Sequence, residues 1–146
     1  MKTLISYIIG HNDYNNGQMN EKDIRIGNSL LLYGEVVEVT EIGFRIDDYY
    51  LRVEGNKNGY YLDQFKPIEI TEEILLKCEG IIKHPTIENR YLLEDSNYSF
   101  HIEDGDWDNP SLDILINGMY IICVEFLHEF QNLYWALCRK ELKIEL

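Results

Sequence analysis

The first half of the chain alternates between short apolar runs and polar turns, a pattern typical of a small antiparallel sheet. In residues 36–40 (VVEVT) and 49–54 (YYLRVE), apolar and polar positions alternate as they do in half-buried strands. Asn58 and Gly59 follow, and this dipeptide predicts a tight hairpin because both central positions of that turn need positive φ. Further short apolar runs lie at residues 29–33, 44–46, 60–62 and 67–70. Residues 23–70 are therefore predicted to form an SH3-like barrel of five short strands.

The second half begins with a helix and continues with two hairpins. Thr71 precedes Glu72 and Glu73, which is typical of a helix start where a hydroxyl caps the first turn and acidic groups complement the helix dipole. Turn-forming residues at 95–97 and 117–118 each separate two apolar runs and predict the hairpins. The paired runs are residues 90–94 with 98–103 and residues 111–116 with 119–125.

The chain closes with a predicted helix at residues 126–138 and an alternating strand at residues 142–146. A helix on either side of a run of hairpins is typical of an α+β protein and not of repeated βαβ units. Residues 71–146 are thus predicted to form an α+β sub-domain. We expect its C-terminal helix to pack on its antiparallel sheet, and the sub-domain to share a core with the barrel.

Residues 1–22 stand apart as an N-terminal extension. Residues 3–9 (TLISYII) have the composition of a strand, and residues 11–23 are rich in turn-forming residues. We expect the strand to dock on a sheet edge. The apolar run is too short and too polar at its end for a signal peptide, and no stretch is long enough to span a bilayer, so a cytoplasmic location is expected.

The last predicted helix carries polar residues among many apolar ones. An apolar stripe on one side contrasts with His128, Glu129, Gln131 and Asn132, which lie mostly on the other side. His128 has no second histidine or cysteine four residues away, as a metal pair on a helix requires. A structural role for these side chains, in capping or in bonding to the neighbouring sheet, is the favoured interpretation.

The charge of the chain limits its partners. Asp and Glu together number 26 against 13 Lys and Arg, which gives a net charge of −13. Such a surface repels nucleic acids and anionic membranes and attracts a basic protein. Hydrophobic residues make up 45% of the chain, which is enough for a core without metal or disulfide. The three cysteines have no CxxC spacing and lie in apolar contexts typical of buried free thiols.

Three segments resemble one family of short uncharacterised proteins of Bacteroides-type bacteria and their phages and mobile elements. HEFQNLYWAL at residues 128–137, followed by KELKI, is similar to the family's H-x-L-Q-N-L-Y-F-A-L ending. Residues 23–43 resemble its D-L-R-I-G-N start, and residues 65–80 resemble its P-I-P-L-T-E-E-W-L-L-K segment. The resemblance implies a mobile-element accessory protein in the cytoplasm of a bacterial host, and it supplies no catalytic motif. Where the family has Thr-Gly after its last helix, this chain has Cys138 and Arg139, so the helix is expected to end differently.

Candidate catalytic and metal sites are weakly supported by the sequence. Asp104, Asp106 and Asp108 alternate as in a calcium loop, but Asn109 replaces the turn glycine and Leu115 replaces the bidentate glutamate. The nearest cysteine and histidine in the chain, at positions 78 and 84, have no special spacing, and no GxSxG, Walker or GxGxxG motif occurs. We therefore expect a non-enzymatic protein with no metal and no cofactor.

Two tyrosine pairs flank one predicted hairpin of the barrel, and basic residues lie beside them. Neighbouring strand residues point to opposite faces, so one ring of each pair must face outward. Exposed tyrosines beside arginines suit a protein interface, and they also suit a stacked base with its phosphate. The alternative is that the rings only fill the core of a small barrel. The candidate binding residues are Arg45, Tyr49, Tyr50, Arg52, Lys57, Tyr60 and Tyr61.

Two functions follow as hypotheses. The first is a phage or mobile-element protein that binds a host protein, in a counter-defence role. The second is a sponge that captures a small nucleotide immune signal without hydrolysing it. The second hypothesis favours a homo-oligomer, since pockets of this kind are often built across a symmetric interface.

Overall fold

The computed structural model describes residues 19–103 and 111–146, which form two compact units. The first unit comprises the residues up to Ile68 together with Leu127–Glu141, and the second comprises Glu69–Phe126 and Leu142–Leu146. Each unit contains one five-stranded antiparallel sheet. The predicted α+β class is confirmed. The expected strand at residues 3–9 and its docking lie outside the described residues.

The sheet of the first unit is built from consecutive strands. In the order β4-β3-β2-β1-β5, each strand is antiparallel to its neighbours. One side of the sheet covers a core that includes Leu30, Val39, Leu51 and Phe65, all almost fully buried. The strands are β1 (Ser29–Leu32), β2 (Glu35–Arg45), β3 (Asp48–Val53), β4 (Tyr60–Tyr61) and β5 (Phe65–Lys66).

The predicted SH3-like barrel is not confirmed. Strands β4 and β5 are the two edges of the sheet, and no ladder among the described residues pairs them. The predicted strands at residues 36–40 and 44–46 are parts of one long strand, β2. The predicted strand at residues 67–70 is reduced to an isolated bridge at Glu69.

Two-residue turns with positive φ at both positions connect several of the strands. Asn117 and Gly118 have φ angles of 51° and 77°, which confirms the hairpin predicted there. The tight turn predicted at Asn58 and Gly59 is wrong, because neither residue has positive φ. The connection from β3 to β4 is a longer loop, and its positive φ of 76° falls at Gly55.

The second unit contains a short helix, α1 (Glu72–Leu76), and a sheet with the order β10-β9-β8-β7-β6. As predicted, the Thr71 hydroxyl caps α1 by accepting from the Ile74 amide at 3.3 Å. The predicted strand at residues 142–146 makes only one bridge, between Ile144 and Cys78. The strands are β6 (Ile81–Lys83), β7 (Arg90–Leu93), β8 (Tyr98–Glu103), β9 (Ser111–Ile116) and β10 (Met119–Val124).

The C-terminal helix, α2 (Leu127–Cys138), belongs to the first unit and contacts β1. We expected it to pack on the second sheet, and this expectation is wrong because its polar side chains bond to the segment that leads into β1. All residues from Leu127 to Tyr134 are buried, so the side with the polar residues is not open to solvent. Burial lowers the pKa of His128 to about 3, which keeps its imidazole neutral at pH 7.

The amide of Asn132 shows why polar residues are buried in this helix. Its Oδ1 accepts from Asn28 Nδ2 at 2.8 Å and from Arg25 Nε at 3.3 Å, and its Nδ2 donates to the backbone oxygen of Asp23 at 2.7 Å. The side chain of the preceding residue, Gln131, accepts through Oε1 from the backbone amide of Ser29 at 2.8 Å. The structural role predicted for Gln131 and Asn132 is confirmed, since a buried amide is tolerated when its hydrogen bonds are made, and for His128 and Glu129 it stays a prediction.

Arg139 provides the stop of helix α2. Its φ is 56°, the left-handed conformation in which glycine is usual, and its amide donates to the oxygen of Trp135 at 2.8 Å. The guanidinium group lies over the Trp135 ring, 5.4 Å from its centroid, and Arg25 lies over the same ring at 5.3 Å. The helix therefore ends at Cys138 in a left-handed cap, and the cation–π contact offsets part of the strain.

We predict that Asn132→Ala destabilises the protein by about 3 kcal/mol, because two buried groups, Asn28 Nδ2 and the Asp23 oxygen, and the part-buried Arg25 Nε lose a partner at about 1 kcal/mol or more each. Urea-induced unfolding measures the change. The matched control is Asn58→Ala at an exposed loop position, where we expect a change within about 0.5 kcal/mol. Equal effects of the two substitutions would contradict the structural role of the Asn132 amide.

Asp23, in the same region, makes the stability of the protein depend on pH. Its side chain is 2% exposed, and neither carboxylate oxygen has a hydrogen-bond partner among the described residues. Burial, and next the charge of Glu21, raise the pKa of Asp23 from 3.8 to about 6. The folded state therefore holds this proton more tightly than the unfolded chain does. The resulting stabilisation is complete below about pH 3.8 and is lost as the pH rises through about 6.

We predict that Asp23→Asn, which cannot ionise, gains stability relative to the parent between pH 4 and pH 8. The gain is about 3 kcal/mol, which corresponds to a pKa difference of roughly two units. Urea unfolding of both proteins at the two pH values measures it. Asp63→Asn, at an exposed position, is the control and should shift little. An Asp23→Asn effect that is the same at both pH values would disprove the coupling.

Candidate binding site

The hairpin of β2 and β3 extends beyond the rest of its sheet. Strand β1 pairs with β2 only as far as Glu38, and the Asn28 oxygen then accepts from the amide of Val39 at 2.9 Å. Beyond that point, no strand of the described residues pairs with this edge of β2, whereas β3 follows it as far as Arg45. We call residues 41–50 the hairpin arm. It is a two-stranded ribbon, and β4 pairs with its β3 edge only from Tyr50 onward.

The strand register places the residues of the arm on two faces. Tyr50 lies opposite both Gly43 and Tyr61, so these three residues share one face, which we call the pocket face. Glu41, Arg45 and Arg52 belong to the pocket face as well. The other face continues the core of the unit, where Leu51 lies opposite Ile42 and Tyr60.

A cavity of about 380 Å³ opens on the pocket face. Four of the seven predicted binding residues line it, although they come from three different strands. All of the lining residues belong to the first unit. They are Phe44, Arg45, Tyr50, Arg52, Gly59 and Tyr61.

The ring of Tyr50 lies against two glycines. A Cβ atom on Gly43 would stand 2.2 Å from Cζ of Tyr50, and one on Gly59 would stand 2.8 Å from its Cδ2. Neither glycine has positive φ, so space for the ring, and not backbone conformation, requires glycine at both positions. The Tyr50 ring therefore packs against the sheet over these glycines and does not fill the cavity.

Charged groups hold the ring from the side. Glu41 accepts from the Tyr50 hydroxyl through Oε1 and from Arg52 Nη1 through Oε2, both at 3.1 Å. The Arg52 guanidinium lies over the Tyr50 ring, 5.8 Å from its centroid. The Arg45 side chain differs from that of Arg52, because it is exposed and makes no ion pair or hydrogen bond with any described residue. The cavity therefore has one anchored guanidinium and one that is available to a ligand.

The other three predicted binding residues lie elsewhere. Tyr49 is on the opposite face and meets the Phe44 ring edge-on at 5.1 Å. Tyr60 packs against the core, with its ring 6.3 Å from that of Phe65. Lys57 is exposed in the loop before β4 and does not line the cavity. The structure thus separates Arg45, Tyr50, Arg52 and Tyr61 from Tyr49, Lys57 and Tyr60.

Sequence reasoning missed several residues of this site. Gly43 and Glu41 were not singled out, and Gly59 was interpreted as a turn residue. A glycine within an alternating strand could have indicated a close approach by a neighbouring group. Phe44 and Ile46 were assigned to a separate short strand, so their exposed position at the end of the arm was not expected.

No cluster of three or more metal-binding side chains occurs within residues 19–103 and 111–146. The acidic loop with Asp104, Asp106 and Asp108 lies outside the described residues. Burial raises the pKa of the Cys78 thiol to about 12, so it is a poor nucleophile. In its loop, His84 Nδ1 accepts from the amides of Thr86 and Ile87.

No protein-family model matches the chain, and no curated protein or solved structure is detectably similar to it. The resemblance noted from the sequence therefore stays a prediction. Among the helices of the described residues, none has the length and apolar character needed to cross a membrane.

We predict that Gly43→Ala destabilises the protein by about 2 kcal/mol, because the new methyl group displaces the Tyr50 ring. In a Tyr50→Ala background the same change should be neutral or slightly stabilising, since alanine is favoured over glycine in a strand by about 0.5–1 kcal/mol. Urea unfolding of the four proteins in this double-mutant cycle measures the coupling. An equal loss in both backgrounds would show that the ring is not the obstacle.

Proposed function

We propose that this protein is a non-enzymatic binding protein that contacts a protein of its host through the tip of the hairpin arm. The observation that supports the proposal most strongly is Ile46, which is 87% exposed and has a φ of 47°. Together with Asp47, whose φ is 67°, it forms the two-residue turn of the arm. Both features of Ile46 are unfavourable for the isolated protein.

The conformation of Ile46 is costly because its branched side chain is crowded at positive φ. This turn type favours Asn-Gly, and the same chain uses Asn117 and Gly118 for that turn in the second unit. Nothing in the folding of the arm calls for isoleucine at position 46. Strain and exposure together at one residue are more typical of a binding position than of a structural one.

Ile46 is part of a larger apolar tip. Phe44 is 62% exposed, and its ring contacts that of Tyr49, which is 36% exposed. Aromatic rings of this kind form the anchors of protein interfaces when a partner buries them. The three side chains define the tip surface: Phe44, Ile46 and Tyr49.

The charge of the chain indicates the kind of partner. Asp47 and Asp48 adjoin the tip, and the net charge of the chain is −13. A protein with an apolar cleft rimmed by lysines and arginines is complementary to this combination, and the attraction speeds association at low salt. Nucleic acids and anionic membranes carry the wrong charge. In the mobile-element setting that the sequence resemblance implies, we propose a component of a host defence system as the target.

We predict that Ile46→Asn stabilises the protein by about 1 kcal/mol, because asparagine tolerates positive φ, and that it abolishes partner binding. Affinity capture from host lysate with quantitative mass spectrometry measures the binding, and urea unfolding measures the stability. The parent should enrich a partner less at about 500 mM than at about 50 mM salt, since salt screens the attraction.

Met119→Asn is the matched control, because Met119 is 68% exposed in the second unit and loses a comparable apolar side chain. This variant should retain the partner. A partner that Ile46→Asn also retains, or that both variants lose, would disprove a role for the tip. Failure of the parent to enrich any protein at low salt would disprove the proposed function itself.

A further inference from the structure

We infer that the cavity on the pocket face is a binding site for a nucleoside monophosphate, an organic anion that joins a flat ring to a phosphate. This site shares Phe44 with the tip surface, but its other five lining residues do not belong to that surface. The inference therefore does not depend on the partner proposed above.

The size of the cavity limits the ligand. Pockets for small molecules usually have volumes of about 300–1,000 Å³, and this one, at about 380 Å³, lies near the lower end. A single nucleotide suits that volume, whereas a dinucleotide requires more room.

The aromatic lining suits the ring of the ligand. Tyr61 is 49% exposed beside the cavity, and the Tyr50 ring lies on the sheet within it. Bases stack on tyrosine rings with about 1–3 kcal/mol per base, with little preference among bases. The pocket is thus expected to accept several bases and to select for the phosphate.

The arginines suit the phosphate. A guanidinium group donates two parallel hydrogen bonds to phosphate oxygens, and a charge-assisted bond is stronger than a neutral one. Arg45 has no ion pair among the described residues, while the charge of Arg52 is balanced by Glu41 at 3.1 Å. The Arg45 guanidinium is thus not held in an ion pair, although the Asp48 carboxylate lies opposite it in the strand register, and we assign the main phosphate contact to Arg45.

The net negative charge of the chain does not prevent binding of this anion. At physiological salt, interactions between exposed charges are largely screened beyond about 8 Å. The charges within that distance decide the local preference, and there Arg45 and Arg52 are matched by Glu41 and Asp48, so the site is close to neutral although the chain as a whole is acidic. A long nucleic acid would extend beyond this range and meet the acidic surface.

Binding without conversion follows from the same lining. Its lining residue types are phenylalanine, arginine, tyrosine and glycine, which supply no serine, cysteine or histidine for acyl or phosphoryl transfer, and the neighbouring Glu41 carboxylate is already bonded to Tyr50 and Arg52. The ligand is therefore captured and released unchanged.

Isothermal titration calorimetry with AMP, GMP, CMP and UMP tests the inference. At least one of them should bind, and the matching nucleoside and inorganic phosphate should each bind about tenfold more weakly or worse, a difference of roughly 1.4 kcal/mol. Arg45→Gln should weaken the monophosphate about tenfold without changing the affinity for the nucleoside. Ile46→Asn should bind it as the parent does, which separates this site from the tip.

Lys57→Gln is the control for charge, because it removes one positive charge near the site from a residue that does not line the cavity. It should change the affinity less than twofold. Absence of binding by all four monophosphates at about 1 mM, which corresponds to a free energy weaker than about −4 kcal/mol, would overturn the inference. Equal weakening by Arg45→Gln and Lys57→Gln would overturn it as well.

Discussion

The buried amide of Asn132 joins parts of the first unit that are more than 100 residues apart in the chain. It holds Asn28 through a side-chain bond, and the backbone of Asn28 in turn bonds to Val39 in the middle of β2. Val39 also accepts from the Gly27 amide at 2.8 Å, and beyond Val39 no strand of the described residues pairs with this side of β2. The point where the hairpin arm leaves the sheet is thus set by a polar contact of the C-terminal helix. A helix with only apolar residues would bury as much surface, but it would not fix this register.

The arm uses its two faces differently. On the pocket face, two glycines make room for the Tyr50 ring, and Glu41 orients both that ring and Arg52. On the other face, the core ends near Leu51, and the apolar residues beyond it remain exposed. Two-stranded ribbons are only marginally stable in water, so an apolar, strained tip on such a ribbon weakens the free protein. That cost is understandable if the tip is buried in a complex.

The sequence predicted the elements better than their arrangement. The hairpins at Asn117 and near Asp95 were predictable because turn chemistry and strand alternation are local. The open sheet was not, because closure into a barrel depends on contacts between strands that are distant in sequence. The position of helix α2 was missed for a related reason. A polar residue such as Asn132 gives the helix the same sequence pattern whether it faces water or a buried partner. For the candidate site, strand alternation predicted that one ring of each tyrosine pair faces outward. The roles of Gly43 and Glu41 were not predictable, because they depend on the rotamer of Tyr50.

Both units are discontinuous, since helix α2 of the first unit follows residues 69–126 and the second unit also includes Leu142–Leu146. During synthesis, residues 69–126 therefore leave the ribosome before α2 does. Only then can the side-chain amides of Gln131 and Asn132 bond to Ser29 and Asn28. Until then the nascent β1–β5 segment lacks its hydrogen bonds to Gln131 and Asn132, and the uncovered sheet can bind chaperones. Domains usually fold as units in the order of translation. Here neither unit is complete until residues after 126 have emerged, because the first unit needs α2 and the second unit needs Leu142–Leu146.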